Sequence, residues 1–438
     1  MSARTFYLET HGCQMNEHDS ERMAGLMEVA GYRRVARAED ADVAILNTCA
    51  IRENADNKLY GHLGSLKSVK ERTGLTIAVG GCQAEKDRAT VRTKAPWVDV
   101  VFGTRNIDAL PRLVQTVEDA GVPIVEFAEQ FAVHPSALPA HRGSSYHAWV
   151  AIQYGCNNAC TFCIVPSVRG AEVSRPLGEI VGEVRRLVDD GVSEISLLGQ
   201  NVNSYGRDLT GRPIFAELLR AVDAVPGVRR IRYTSPHPKD FKQDTALAMA
   251  ECRSVCEHLH FPVQSGSDAV LRRMRRAYSR SSYLDKVEMA RETIPGLALT
   301  TDIIVGFPGE TELEFEDTMS LVEIVRFDGA YMFQYSKRPG TAAATMSDQI
   351  PKVTTQARYD RLLGVQTRIS HERNRELVGS RVELTIERTS SKSDASRATG
   401  RTRTNRLVHV ATSDAAAGDQ VHATVTEAHA HYLVGQPS

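Results

Sequence analysis

The chain begins with four short apolar runs, TFYLET (5–10), DVAILN (42–47), TIAVGG (76–81) and VDVVFG (98–103), separated by polar stretches of helical length. Strand and helix in alternation predict a parallel, doubly wound sheet over residues 1–120. Three of the four runs lead straight into a cysteine: Cys13, Cys49 and Cys82. The carboxyl ends of parallel strands face one crevice, so thiols far apart in sequence converge there. A lone cysteine at a strand end is most often a small buried hydrophobe. Three at equivalent positions outline a metal site.

Residues 121–145 carry three prolines and no helical apolar period, which predicts a linker. Between 146 and 372 six further runs, AWVAIQ, EISLLGQ, RIRYTS, HLHFPVQ, LTTDIIVGF and GAYMFQYS, alternate with helical segments. Six strand–helix units predict a partial or full (β/α) barrel with its site at the C-terminal strand ends. From 373 to 438 the pattern changes to short alternating strands, RVELTIE, GRTRTNRLVHV and QVHATVTEAHAHYLVG, without a good helix. That predicts a small β-barrel.

Composition narrows the function classes. A chain of 438 residues, 42% hydrophobic and 24% charged, is expected to form two or three soluble globular domains. No run reaches the roughly 18 apolar residues of a membrane span, and MSARTFYLET lacks a secretory apolar region, so a cytoplasmic location is expected. A net charge of -1 gives the whole molecule no pull on a polyanion, so any nucleic-acid contact must come from local patches. Two are present. VLRRMRRAYSR packs Arg272, Arg273, Arg275, Arg276 and Arg280 into one stretch, and residues 381–410 hold seven Lys or Arg, among them Lys392, Arg401, Arg403 and Arg406, against three acids.

Eight cysteines are too sparse for a disulfide scaffold, and clustered thiols in a reducing compartment point to metal or redox chemistry. The densest cluster is GCNNACTFC, with Cys156, Cys160 and Cys163 spaced CxxxCxxC after the first barrel strand. Structural zinc wants four ligands, and nothing after Cys163 supplies a fourth at such spacing. A 4Fe-4S cluster held by three thiolates keeps one iron open. Cys252 and Cys256 closely precede His258 and His260 and invite a zinc reading, but their place before a buried strand favours structural thiols.

CxxxCxxC is the short signature of the radical S-adenosylmethionine (SAM) superfamily. With it stand THGCQMNEHDSE, LNTCAIRENA, GGCQAE, LLGQNVNSYG, RYTSPHP, HLHFPVQSGSDAVLRRM, TTDIIVGFPGET and YSKRPGTAA. Together these resemble the bacterial methylthiotransferases of the MiaB type over nearly the whole chain, the last region being similar to a TRAM domain. The resemblance implies a 4Fe-4S cluster on Cys156, Cys160 and Cys163 that binds and cleaves SAM, and a second on Cys13, Cys49 and Cys82 that supplies sulfur. It implies transfer of a methylthio group to carbon 2 of the isopentenylated adenosine at position 37 of tRNA. Expected partners are that tRNA and an electron donor such as a flavodoxin or ferredoxin, with no membrane, and the chain is expected to be monomeric.

The same resemblance places SAM contacts at Phe162 and at Gly199, Gln200 and Asn201, with VGFPGET beneath the adenine; Ser235, Gln264 and Asp302, polar groups at or near later strand ends, are further candidates, though backbone donors there would use them equally. A Gly turn with a capping Asn would read identically at 199–201. Phosphate contacts are expected from Arg272, Arg273, Arg275 and Arg276 and from Arg401, Arg403 and Arg406. Two alternatives stay open: a methylthiotransferase for threonylcarbamoyl-adenosine or a ribosomal protein aspartate, and a non-catalytic iron–sulfur RNA-binding redox sensor.

Overall fold

The computed structural model describes residues 3–50, 53–132, 134–391, 394–412 and 415–438; Ile51 and Arg52 of the second cysteine motif and Lys392 of the basic stretch lie outside them. The chain divides into two compact units, residues 1–143 with 149–158 and 163–173, and residues 144–148 with 159–162 and 174–438.

The first unit is built on a six-stranded parallel sheet of order β2-β1-β3-β4-β5-β6. Its strands are β1 (Thr5–His11), β2 (Arg33–Arg34), β3 (Val43–Thr48), β4 (Thr76–Gly81), β5 (Val100–Phe102) and β6 (Ile124–Glu126). Helices α1 (Gln14–Val29), α2 (Glu53–Thr73), α3 (Cys82–Asp87), α4 (Thr90–Lys94) and α5 (Leu110–Ala120) connect them. β3 and β4 are buried at every position, as expected of central strands covered on both faces. One face packs Phe6, Leu8, Val43 and Ile45 against α1 and α5; the other packs Leu46, Ile77 and Val79 against Leu59 and Leu63 of α2. In α5 the spacing of Leu110, Leu113, Val114 and Val117 makes one apolar stripe, and Gly121 ends the helix in the left-handed region at φ 65°.

The linker expected at 121–145 is corrected in part. Ile124–Glu126 forms the edge strand β6, paired with β5 in register Val100–Ile124. Pro123 and the two later prolines mask the short apolar run, and pairing with the neighbouring strand makes it a strand.

After β7 (His147–Ala151), β8 (Gln153–Tyr154) pairs with β9 (Val173–Ser174), and α6 (Val165–Arg169) lies between them. The barrel strands are β7, β10 (Glu194–Leu198), β11 (Arg230–Tyr233), β12 (His258–His260), β13 (Ala298–Val305) and β14 (Gly329–Gln334). They form two parallel sheets, β11-β10-β7 and β12-β13-β14, joined by an Ile231–Val255 bridge. The six expected strands are thus present as an open, partial barrel. Helices α7 (Leu177–Asp189), α8 (Arg207–Thr210), α9 (Phe215–Asp223), α10 (Gln243–Glu251), α11 (Asp268–Arg273), α12 (Arg280–Thr293), α13 (Glu312–Val325) and α14 (Lys352–Arg375) accompany them.

The remainder is a closed barrel of order β15-β16-β17-β19-β18: β15 (Arg381–Ser391), β16 (Asp394–Thr402), β17 (Leu407–Ala411), β18 (Gln420–Ala428) and β19 (Leu433–Pro437). Closure leaves no sheet edge exposed. Its core is Leu384, Ile386, Ala398, Val408, Val410, Val425 and Leu433. No helix of the described residues is long and apolar enough to cross a membrane.

Candidate active site with two cysteine trios

Cys13 follows β1 after the intervening Gly12, Cys49 follows β3 directly, and Cys82 follows β4 as the first residue of α3. Because β1, β3 and β4 are neighbours in the sheet, the three thiols stand at adjacent strand ends. Gly81, at φ 88°, makes the turn into Cys82; a Cβ there would lie 2.3 Å from Asn47 Oδ1. An asparagine lock fixes the approach to Cys13. Asn16 Nδ2 donates to Asn47 Oδ1 and to the Thr48 carbonyl, both at 3.1 Å, Asn47 Nδ2 donates to the Asn16 carbonyl at 2.8 Å, and the Cys13 thiol reaches Asn16 Oδ1 at 3.4 Å.

A buried ion pair stands beside this trio. Arg169 Nη2 lies 2.7 Å from Asp19 Oδ2, with both side chains essentially out of solvent, while Arg169 Nε donates to Cys82 Sγ at 3.1 Å. Burial alone would raise the Asp19 carboxyl, but Arg169 and His18 together outweigh it and hold the group low. Burial pushes the Cys82 thiol up, partly offset by the same guanidinium. The Cys13 thiol is drawn down to about 6, chiefly by its hydrogen bond with Cys49, against burial and with help from Arg169. A cation supported by a buried acid, aimed at one sulfur of three, is what a set of metal-bound thiolates needs. The donor set fits a three-thiolate iron–sulfur cluster.

Cys156, Cys160 and Cys163 are partly exposed on the loop after β8. Gly155, at φ 75°, has no room for a side chain: a Cβ would come within 1.9 Å of the Ala171 carbonyl. Cys156 N–H donates to the Gly170 carbonyl at 3.0 Å, and Asn158 directs its backbone and side-chain N–H groups at Cys156 Sγ, each at 3.4 Å. Arg276 Nη1 donates to Cys160 Sγ at 3.3 Å and is held by the Pro262 carbonyl and the Tyr278 hydroxyl. Each trio therefore has one guanidinium on one sulfur. These three thiolates, with one coordination position left to an exogenous ligand, also suit a 4Fe-4S cluster.

Around the second unit's strand ends lie unpartnered polar atoms. Gln200 Oε1, Asn201 Oδ1 and both amide atoms of Asn203 are shielded from water without a hydrogen-bond partner among the described residues. Asn201 Nδ2 is held by Asp240 at 2.8 Å. Buried polar atoms left open next to Gly199 fit a polar ligand better than a packed turn does. Ser235 and Gln264 adopt positive φ, 59° and 68°, the kind of local strain that clusters at ligand sites. Phe162 packs with Val270, Met274, Ala343 and Phe307 of VGFPGET.

The inner face of β12, β13 and β14 is open and polar. Asp302 Oδ2 lies 3.4 Å from His260 Nε2, and both His258 and His260 meet Thr300 Oγ1, at 3.0 and 3.1 Å. Two aromatic rings, Tyr331 (62% exposed) and Phe333 (42%), lie on this face. Sequence reasoning missed both, since an exposed aromatic in an alternating strand looks like any other half-buried position. It also missed Arg169, Asp19, Asn16 and Asn47, whose roles depend on long-range pairing.

The basic residues fall into two groups. Arg272 and Arg275 are exposed. Arg273 is forked onto Glu314 at 2.9 and 2.8 Å and Arg276 donates to Cys160, so both guanidinium groups already have partners in the chain. Arg401 pairs with Glu387, Arg403 with Glu257 at 2.6 Å and the Val255 carbonyl, and Arg406 with Asp328 and Asn374. Buried Arg230 and nearly buried Arg232 return the favour by donating to the carbonyls of Arg401, Arg403 and Thr402 at 2.7–3.0 Å. In this structure the charge excess of that stretch fastens the small barrel to its own unit. Cys252 and Cys256 are buried with their thiols pushed up by burial, Cys252 to about 11, as structural thiols would be.

Known proteins extend this picture. Residues 5–103 match the uncharacterized protein family UPF0004, residues 150–322 the radical SAM superfamily and residues 375–437 the TRAM domain. The chain is similar to a tRNA-2-methylthio-N(6)-dimethylallyladenosine synthase of Salinispora arenicola, 53% identical over 99% of this chain and 88% of the relative. It is similar to a protein of the same description from Acidothermus cellulolyticus, 54% identical over 98% of this chain and 87% of the relative. Among solved structures, the radical S-adenosylmethionine methyltransferase TsrM of Kitasatospora setae shares the fold at a TM-score of 0.57 and 15% identity, over 78% of this chain and 77% of that one.

Proposed function

Since the chain belongs to the tRNA-2-methylthio-N(6)-dimethylallyladenosine synthase family of radical SAM proteins, we propose that it adds a methylthio group to carbon 2 of isopentenylated adenosine 37 in tRNA. The observation that carries the reading is the pair of separate three-cysteine sets, each with a guanidinium at one sulfur. Two 4Fe-4S clusters, one per trio, would supply the SAM-cleaving electron at one and the sulfur at the other.

This chain's own residues bind and position. Arg169, anchored by Asp19, holds negative charge at Cys82, and Arg276 does so at Cys160. Gln200, Asn201 and Asn203 offer their open polar atoms to the amino and carboxylate groups of SAM, while Phe162, backed by buried Phe307, offers apolar surface to its adenine. Ser235, Gln264 and Asp302 complete the proposed SAM contacts. Tyr331 and Phe333 give flat surface on which a substrate base and its isopentenyl chain can lie. Arg272 and Arg275, with exposed Arg388 and Arg397 on the small barrel, are the proposed phosphate contacts; Arg401, Arg403 and Arg406 can join them only by giving up their present partners. A one-electron donor of the flavodoxin or ferredoxin class, a monomeric chain and a cytoplasmic location complete the proposal.

Anaerobic reconstitution followed by SAM, reductant and isopentenylated tRNA tests it, with nucleosides read by mass spectrometry. Methylthio-isopentenyladenosine is the expected product. SAM cleavage without that nucleoside overturns the substrate assignment, and intact SAM overturns the reaction class.

A further inference from the structure

The face of β1 that α2 covers carries polar side chains where a doubly wound sheet ordinarily buries apolar ones. Strand alternation sends Phe6 and Leu8 under α1 and α5 and leaves Tyr7, Glu9 and His11 on the other face. His62, near the middle of α2, meets them there. Its Nδ1 lies 2.8 Å from Glu9 Oε2, and His11 Nε2 lies 2.7 Å from Glu9 Oε1. The two imidazoles approach edge to face with centroids 6.3 Å apart, and the Tyr7 hydroxyl donates to Glu9 Oε2 at 2.6 Å. One ligand atom from each of Glu9, His11 and His62 lies within 4.8 Å of the others.

Hydrogen bonding alone accounts poorly for this cluster. His11 Nε2 is shielded from water, yet at 2.7 Å from a carboxylate oxygen it makes no aligned hydrogen bond among the described residues. A shielded imidazole nitrogen without a partner calls for one that the described residues do not supply.

We propose that Glu9, His11 and His62 form a binding site for one divalent transition-metal ion, with zinc as the best match. Two imidazoles and one carboxylate, with water in the fourth position, are an established tetrahedral zinc set. Two nitrogen ligands in three disfavour magnesium and calcium. Zinc bonds of about 2.0–2.2 Å place tetrahedral ligand atoms about 3.3 Å apart, which side-chain adjustment reaches from the present spacing. The Tyr7 hydroxyl on the carboxylate would fix the Glu9 orientation, as outer partners of metal ligands do. Side-chain exposures of 23% for each histidine and 25% for Glu9 leave an entry path for the ion. Bound there, it pins α2 to β1. The site contains no sulfur and does not depend on the proposed reaction.

The test uses the full chain with its clusters loaded, dialysed anaerobically against cobalt(II) or zinc alone. We expect about one equivalent of ion beyond the cluster iron, a cobalt spectrum without a thiolate charge-transfer band, and a higher melting temperature with zinc. Glu9→Gln and His62→Asn should each weaken uptake at least tenfold with iron content and circular dichroism unchanged. No uptake by the unsubstituted chain, a thiolate band on the bound cobalt, or uptake equal in all three proteins overturns the site. The first two outcomes need no variant to fold.

Discussion

The two cysteine trios reach the same donor set by opposite routes. Cys156, Cys160 and Cys163 sit within eight residues of one partly exposed loop, whereas Cys13, Cys49 and Cys82 are gathered from three strand ends, the last two deeply buried. A loop trio depends on local spacing and on a glycine that lets the backbone close. A strand-end trio depends on the whole sheet forming first. The charge control differs in the same way: Arg276 leans on backbone and Tyr278, while Arg169 is locked to buried Asp19.

Replacing any one of Cys156, Cys160 or Cys163 with Ala should abolish SAM cleavage and product together; a chain that still cleaves SAM would remove the loop from the reaction. Arg169→Met leaves Asp19 charged and buried, a change worth about 3–5 kcal/mol, so its melting temperature should fall well below that of the unsubstituted chain. Asp19→Asn combined with Arg169→Met should recover part of that loss, and additive losses would show that the pair is not coupled. Arg230→Met removes charged hydrogen bonds to Glu383 and the Arg401 carbonyl, worth about 1.5–3 kcal/mol each, and should expose the chain near Gly379 to protease. Unchanged digestion there would show that the small barrel is held by other contacts.

Arg272→Ala with Arg275→Ala should leave stability alone, weaken tRNA binding, and lower the salt dependence of its affinity by about two contacts. The smallest effect concerns Glu310, whose carboxyl burial pushes up to about 7 from 4.5, against the Gly306 N–H and Arg358. Its favoured folded form is protonated, so its contribution is complete below about pH 4.5 and is lost as pH rises through about 7. The melting temperature of Glu310→Gln relative to the unsubstituted chain should therefore climb from pH 5 to pH 8; a flat difference would place the carboxyl in its ordinary range.

Much of this was legible in the residues. Apolar runs located β1, β3, β4 and β5, and with them the strand ends that carry Cys13, Cys49 and Cys82. Six alternations located the six barrel strands. β2 and β6 were not: β2 is Arg33–Arg34, with no apolar residue, and β6 follows Pro123 in a stretch whose prolines read as a linker. Arginine density read as a phosphate track, yet most of those guanidinium groups have carboxylates or carbonyls as partners, with Glu257, Glu314 and Asp328 coming from outside the basic stretches and Glu387 from the neighbouring strand of the small barrel. Charge counts along a sequence cannot show pairing across a fold. Arg169 was invisible for the same reason.

The two trios do different work if the chain with Cys13, Cys49 and Cys82 all replaced by Ala, reconstituted anaerobically beside the unsubstituted chain, loses one function and keeps the other. Iron should fall from about eight to about four per chain, SAM cleavage should persist, and methylthio-isopentenyladenosine should be absent. Unreduced iron with methylthiolation intact would contradict the claim, as would loss of all iron and of SAM cleavage from a chain whose circular dichroism is unchanged.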